Sequence, residues 1–332
     1  MIYQITATFL LSIFLSVVFA PVGIFLAWRF KLIDQPGSEA HKIHATPMPR
    51  AGGLIIFFVV VVGNALIGIV TSYPIAPVIS ASVIILAFGI WDDIHGMLAP
   101  WKLLGQFLAS MLLILQGVMV HITLIPAVDA LITLFWLIGI ANAYNLVDSM
   151  NGLAAGLGGI TSILLLMGVY HAGQFHLALF GAILLGCSIG VFYFNFSLSR
   201  LFLGDSGTQL LGFFLASLAI VYNPPGLPQA SSWFVPILLF CVPIFDTTLV
   251  TLSRIRRRVP IYAANLDHTY HRLVATGLSP ARSVFILHLI SFLIGTIAFL
   301  ALFLQPIWAN MVFGLVLAAG FVAYYWLDLR ER

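Results

Sequence analysis

Between Asn142 and Gly152 the chain reads NAYNLVDSMNG, three Asn, one Asp and one Ser in eleven positions, in a protein of which only 8% is charged. Ionisable groups beside long apolar runs are costly to keep, so such a cluster marks a site unless helix ends account for it. If helical geometry persists to Asp148, then Asn142, Asn145 and Asp148 recur at every third position and share one face. Ser149 to Gly152 would end that helix and begin the next, leaving backbone amides free for an anion. Capping explains one such residue, not five. A second cluster is Asp92-Asp93 in FGIWDDIHGM. Adjacent carboxylates repel unless a cation or proton lies between them, which makes the pair a metal or general-base candidate; the plainer reading is a solvated helix end paired with Lys102 or a loop arginine.

A third cluster is FLGDSGTQLLGF, where Asp205 follows Phe202 and lies between Gly204 and Gly207. Flanking glycines let a backbone approach a ligand, and an oxygen ligand at a helix start suits Mg²⁺ bound together with substrate phosphates. Asp205 or Ser206 serves equally as an N-cap. The fourth is the stretch from Ser253 to Arg282, which opens on RIRRR and continues to Asp267, His268, His271 and Arg272. Two histidines three apart share a helix face, but without a cysteine or a third histidine they do not make a zinc site, and the arginines beside them fit phosphate contacts better. RIRRR alone reads as an anionic-lipid contact or a topology signal. His41, Lys42, His44 and Arg50 add cations in the first loop.

What must position these residues is a membrane bundle. Of 332 residues, 61% are hydrophobic, and the mean hydropathy is +1.11, outside the range of soluble domains. The apolar runs are helix-length, not the short alternating segments of a barrel, and number about eleven. They fall near Ile5–Trp28, Gly53–Thr71, Ile75–Trp91, Leu103–His121, Val128–Ala143, Leu153–Tyr170, Phe175–Phe194, Thr208–Tyr222, Trp233–Leu252, Ser283–Phe303 and Ile307–Trp326. The first has no basic n-region before it and reads as a retained span rather than a signal peptide. All fourteen Lys and Arg then fall on one side: Arg29, Lys31, Lys42, Arg50, Lys102, Arg200, Arg254, Arg256, Arg257, Arg258, Arg272, Arg282, Arg330 and Arg332. The positive-inside rule places that side in the cytoplasm, the N-terminus outside and the C-terminus inside. Of eleven acidic residues only Asp129 falls toward the other side, and carboxylates do not obey that rule. The expectation is an all-α polytopic bundle in one domain, 1–332, with the cytoplasmic loop 253–282 contributing to the site. Cys187 and Cys241 lie in apolar runs and carry no redox or metal argument.

One face thus gathers carboxylates for a hard divalent cation and cations for several phosphates, a combination suited to phosphoryl transfer at a membrane surface. Through KIHATPMPRAGGL, WDD, NAYNLVDSMNGLAAG, FLGDSG and LDHTYHRLVATGLS, in that order, the chain resembles the polyprenyl-phosphate N-acetylhexosamine-1-phosphate transferases, a family that also holds the phospho-N-acetylmuramoyl-pentapeptide transferases. The resemblance implies transfer of a sugar-1-phosphate from a UDP-sugar to undecaprenyl phosphate, release of UMP, and Mg²⁺ or Mn²⁺ at the cytoplasmic face of the inner membrane. It implies Asn145 and Asp205 as metal ligands and Asp92, Asp93 and Asp148 as catalytic acids. Phe202 and Asn151 would lie against the uracil, with Gly204 beside them, and Lys102, His268, His271 and Arg272 would contact the donor phosphates. Direct attack by the lipid phosphate is preferred to a phospho-aspartate, because it needs only metal, cations and an ionised nucleophile.

Asp267-His268-Thr269-Tyr270-His271 stands where the muramoyl enzymes carry consecutive histidines, and PMPRAGG stands where they have a Lys-containing PTMGG-like loop. Both departures point to the hexosamine subgroup. Asn151 replaces an Asp of many bacterial members, which weakens any acid-base role there. The expected partners are a UDP-N-acetylhexosamine (UDP-GlcNAc favoured), undecaprenyl phosphate, membrane lipid and a second copy of the chain, and not nucleic acid. The alternatives are a muramoyl-pentapeptide transferase and a polytopic transporter or lipid-phosphate flippase.

Overall fold

The computed structural model describes residues 1–36, 46–222, 232–260 and 266–329. With no water in the hydrocarbon layer to satisfy peptide groups, apolar runs of this length must bond internally, as helices. Helix α1 spans Ile2–Arg29, α2 Gly52–Leu66, α3 Ile75–His95, α4 Ala99–Leu115, α5 Pro126–Val147 and α6 Leu153–His171. Helix α7, Phe175–Phe192, runs on through a π-helical turn, Tyr193–Ser197. Then come α8, Gly204–Val221, α9, Val235–Leu239, α10, Cys241–Arg257, α11, Thr269–Ala275, α12, Pro280–Ala301, and α13, Pro306–Leu329. Proline in the first two positions opens α4, α5, α9 and α12, where its missing N–H has no helical partner to lose. Strands β1 (Ile33–Asp34) and β2 (Met48–Pro49) pair antiparallel beside the end of α1.

Among the described residues eight helices are long and apolar enough to cross a membrane, while Gly52–Leu66 and Ala99–Leu115 are apolar but shorter. The ninth expected run, Trp233–Leu252, is not one helix: it breaks at Phe240 into α9 and α10. Pro243 has no N–H to return to the carbonyl of Leu239, and that carbonyl instead accepts the Thr161 hydroxyl at 3.3 Å.

Helix α8 is the axis of the bundle. It packs against α2, α3, α5, α6 and α7, and 78% of its apolar stretch is buried, against 6% for α13, which lies almost wholly on the outside. The core around it holds Tyr144, Phe180, Phe213, Phe214, Phe234 and Phe240, all fully buried. The end of α3 meets the start of α8. The carbonyl opening α6 meets His288 of α12, and Arg272 of α11 meets Asp328 of α13. The expected site residues therefore collect at one end of the bundle.

Candidate active site

The site is built on the contact between the end of α3 and the start of α8. Asp92 and Asp93 are both buried, 3% and 4% exposed. Successive helical residues point about 100° apart, so the two carboxylates look in different directions. Asp93 accepts the backbone N–H of Asp205 at 2.8 Å, that of Ser206 at 3.1 Å and the Ser206 hydroxyl at 2.6 Å. It thus satisfies the orphan donors at the N-terminus of α8 from another helix, a tertiary cap favoured by the helix dipole. Arg50 stands behind it, 3.6 Å from Asp93 and 2.5 Å from Asp34. Asp92 instead accepts the Met97 N–H at 2.7 Å and lies 2.5 Å from the Lys102 ammonium. The two carboxylates have separate partners, Lys102 for Asp92 and Arg50 for Asp93, the pairing that the plainer reading expects, and neither Asp205 nor Ser206 caps its own helix.

This close approach needs glycines. A Cβ on Gly89 would lie 2.9 Å from that of Ser206, and one on Gly207 would lie 2.9 Å from the Gly53 nitrogen. Gly204, at φ +71, would place a Cβ 2.7 Å from Asp93 Oδ1, so its smallness admits the Asp93 contact. Because Gly89 faces the Ser206 backbone, which cannot rotate away, Gly89→Ala is expected to separate α3 from α8 at a cost of about 2 kcal/mol or more. A thermal unfolding midpoint equal to wild type would show that the two helices have slack there.

Asp205 is the carboxylate left with an open side: its side chain is 24% exposed. Its Oδ1 accepts the Asn145 amide at 2.6 Å and lies 3.3 Å from Lys102 Nζ, while Asn145 also reaches the Thr208 hydroxyl at 3.0 Å. Asn142, expected on the same face, is one turn deeper: it donates to Gln106 at 2.5 Å, and Gln106 donates to Gln209 at 2.9 Å. That amide relay ties α5 through α4 to α8. Among the described residues no three His, Cys, Asp or Glu converge as a metal cage. The donors do fit a hard cation that arrives with its substrate: one carboxylate oxygen, one amide oxygen once Asn145 is turned, and the remaining positions left to phosphate and water. The Lys102 ammonium already places positive charge beside Asp205.

Asp148 follows the last residue of α5 and is half-buried. Burial, and then the charge of Asp205, push its carboxyl up to about 7. A carboxyl whose folded pKa lies above its unfolded value stabilises the fold fully below the unfolded pKa, about 3.9, and loses that contribution as pH rises through the folded one. With divalent cations chelated, the unfolding midpoint is therefore expected to fall between pH 5 and 8, and Asp148→Asn to flatten that fall and raise the midpoint at pH 8. An unchanged profile would mean that Asp148 is ionised throughout. Asn151 is half-buried in the following turn. The amides there are not all free: Gly152 N–H donates to Asn195 Oδ1 at 2.5 Å, and Asn195 in turn donates to the Leu201 carbonyl at 2.9 Å.

Phe202 is half-buried and held through its backbone. Its N–H donates to Pro49 O at 2.9 Å, and its carbonyl accepts from Ala51 and Gly52, each at 3.2 Å, so the segment after β2 is strapped beside the entrance to α8. His41, Lys42 and His44 lie outside the described residues.

In the loop before α11, His268 Nδ1 lies 2.8 Å from Asp246 Oδ2. His271 is half-buried, its ring 5.9 Å from that of His268. Arg254 grips Asp267 with two nitrogens, at 3.0 and 2.8 Å, and Arg257 adds a third contact at 3.0 Å. Burial works to raise the Asp267 carboxyl, but these guanidinium groups hold it below the usual carboxylate range. Arg272 is set apart from the other expected phosphate contacts. It is 3% exposed and donates to the Asp267 carbonyl at 2.8 Å, to Ser253 at 2.9 Å and to Asp328 at 3.3 Å. With these and the Leu327 carbonyl at 3.4 Å as protein acceptors inside the fold, it locks α11 onto α10 and α13. Asp246 and Asn195 were not foreseen as parts of the site. The signal for each was a polar residue inside an apolar run, PIFDTTL and FYFNFS.

The sequence pattern of glycosyl transferase family 4 matches residues 75–223, from the start of α3 to just past the end of α8. Over 320 residues, 93% of this chain and 87% of the relative, the protein is 30% identical to a probable undecaprenyl-phosphate N-acetylglucosaminyl 1-phosphate transferase of Bacillus subtilis (strain 168). It is 31% identical to a decaprenyl-phosphate N-acetylglucosaminephosphotransferase of Mycobacterium tuberculosis (strain ATCC 25618 / H37Rv), over 89% of this chain and 82% of that protein. A phospho-N-acetylmuramoyl-pentapeptide-transferase of Halalkalibacterium halodurans is 28% identical over 64% of this chain and 74% of that protein. With α3, α5 and α8 carrying the acidic cluster and such relatives matching along nearly the whole length, the chain belongs to glycosyl transferase family 4, the polyprenyl-phosphate N-acetylhexosamine-1-phosphate transferases.

Proposed function

We propose that this membrane enzyme transfers N-acetylglucosamine-1-phosphate from UDP-GlcNAc to a polyprenyl phosphate such as undecaprenyl phosphate. An oxygen of the lipid phosphate attacks the sugar-linked phosphorus of the donor, the bridging P–O bond to the other phosphorus breaks, and UMP leaves. The observation that carries this reading is the half-open Asp205 carboxylate, held by Asn145 and bordered by Lys102 at the end of the bundle where the loop histidines lie. The names of the relatives that match along nearly the whole chain support the sugar and the lipid.

Asp205 and Asn145 would hold Mg²⁺ or Mn²⁺, which supplies neutralisation of the donor diphosphate. Lys102, kept in place by Asp92, faces the developing charge on the leaving phosphate, and His268 and His271 bind the same diphosphate. Asp93 acts through α8 by fixing where Asp205 begins. Asp148 adds a tunable negative charge at the acceptor side, and Phe202 and Asn151 receive the uracil. Because the nucleophile is already ionised, positioning and charge do most of the work. The whole chain acts as one transferase domain, the loop 253–282 included. The segregation of Lys and Arg supports a bundle of about eleven apolar segments in the inner membrane with this end facing the cytoplasm and α1 beginning outside. A transport path would line the middle of the bilayer with charge. The two ionisable groups that lie within apolar runs there are instead satisfied locally, Asp246 by His268 and Thr269, and His288 by the Leu153 carbonyl.

The test is UMP release by purified protein given undecaprenyl phosphate, Mg²⁺ and either UDP-GlcNAc or UDP-MurNAc-pentapeptide. Release with UDP-GlcNAc, stopped by a chelator, is expected. Release with the pentapeptide donor alone, or with neither, overturns the reading.

A further inference from the structure

Asp246 is 1% exposed, on a helix that packs against α5 and α12. A carboxylate withdrawn this far from water costs several kcal/mol unless its oxygens are paired. Both are, and by a single short segment. Oδ1 accepts the Thr269 N–H at 2.6 Å, and Oδ2 meets His268 Nδ1 at 2.8 Å. An ionised carboxylate only accepts, so Nδ1 carries the hydrogen and the ring has one tautomer and one orientation. The opposite ring nitrogen, Nε2, has no hydrogen-bond partner among the described residues, and the side chain keeps 12% exposure.

The position of this pair is fixed by the helices around it. Helix α10 packs along α5, with Phe240 ringed against Trp136 at 5.3 Å and Tyr144 at 6.1 Å. Helix α11 runs into α12, whose His288 reaches the Leu153 carbonyl at 3.1 Å, at the start of the helix that follows Asp148. His268 therefore stands at the end of the bundle that holds Asn145, Asp148 and Asp205. The other charged or titratable groups facing it are Asp267, already taken by Arg254 and Arg257, and His271 at 5.9 Å. Asp246 alone among them holds the ring.

We propose that Asp246 is a positioning residue of the transferase site: it fixes the His268 imidazole with Nδ1 as donor so that Nε2 is presented to the donor diphosphate. This rests on the assignment of His268 as a contact of the UDP-sugar. A lone pair on Nε2 would face phosphate oxygens that only accept, so Nε2 engages the diphosphate when it carries a second proton, as a donor to a phosphate oxygen; Asp246 touches neither substrate.

Asp246→Asn keeps an oxygen for Thr269 but loses the charge behind the ring. It is expected to lower kcat/KM for UDP-GlcNAc by roughly 10- to 100-fold, the scale seen when the partner that orients a functional histidine is removed, with KM for undecaprenyl phosphate unchanged. If Asp246 acts through His268, the same substitution made on top of His268→Ala adds no more than about twofold, and Asp246→Glu restores part of the loss. Losses that multiply in the double variant, or an Asp246→Asn enzyme as active as wild type, would overturn the proposal and leave Asp246 as a cap for α11. A second measurement needs neither turnover nor a folded variant at position 246. In ¹⁵N-histidine-labelled wild-type protein, the resonance lost in His268→Gln should be protonated at Nδ1, and a ring protonated only at Nε2 overturns the pairing. A wild-type enzyme that releases no UMP overturns the assigned donor, while the spectrum decides the pairing on its own.

Discussion

Asp205→Asn should reduce UMP release by about 10³-fold or more, the range found when charge stabilisation is removed from a transition state, while the protein stays inserted and its unfolding midpoint moves by only a few degrees. The two halves of that expectation come from different atoms of one residue. The backbone N–H of Asp205, which the substitution keeps, carries the contact with Asp93 at 2.8 Å. The side chain, a quarter exposed, accepts from Asn145 and faces Lys102, and an asparagine oxygen can still accept from one of them. What disappears is the negative charge proposed to attract a divalent cation to the diphosphate. UMP release within tenfold of wild type would remove Asp205 from the cation site and leave the phosphates to Lys102 and the histidines.

The neighbouring aspartates should separate in the opposite sense. Asp93→Ala leaves two amides and a hydroxyl at the head of α8 without an acceptor, inside a region closed to water. Breaking a buried charged contact from one side costs about 3–5 kcal/mol, so a large drop in the unfolding midpoint is expected together with loss of activity. Asp92→Asn should lose activity by about 10²-fold with little change in stability, since Lys102 keeps Asp205 within 3.3 Å and an asparagine oxygen still takes the Met97 N–H. Thermal unfolding and UMP release, measured on the same preparations, read the two effects separately. Equal losses of stability in both variants would show that the pair acts as a unit after all.

Much of this architecture was legible from the residues alone. The apolar runs had to become helices because peptide groups in lipid have no other partners, and the polar residues at the run ends had to gather because every other loop lies on the same side. Asn145 and Asp205 were singled out by polarity and flanking glycines, and they meet at 2.6 Å. The break of the ninth run at Phe240 was less visible. Pro243 signals it, but whether a proline bends, breaks or merely starts a helix depends on what receives the freed carbonyl, here Thr161 from another helix.

By itself, then, the sequence determined the class of fold, which polar residues gather at the ends of the apolar runs and the types of side chain among them. All of these follow from local periodicity and from the cost of burying charge, which each segment feels wherever its neighbours lie. Only the tertiary structure decided which partner each group takes. Asp93 caps a helix 112 positions away while Asp92 holds Lys102, Arg272 is locked inside the loop it was expected to present to substrate, and a solitary aspartate in an apolar run turns out to stand behind His268. Hydrogen bonds are short and directional, so a partner is fixed by ångström-scale packing between distant segments, and nothing in the pattern of either segment alone records it.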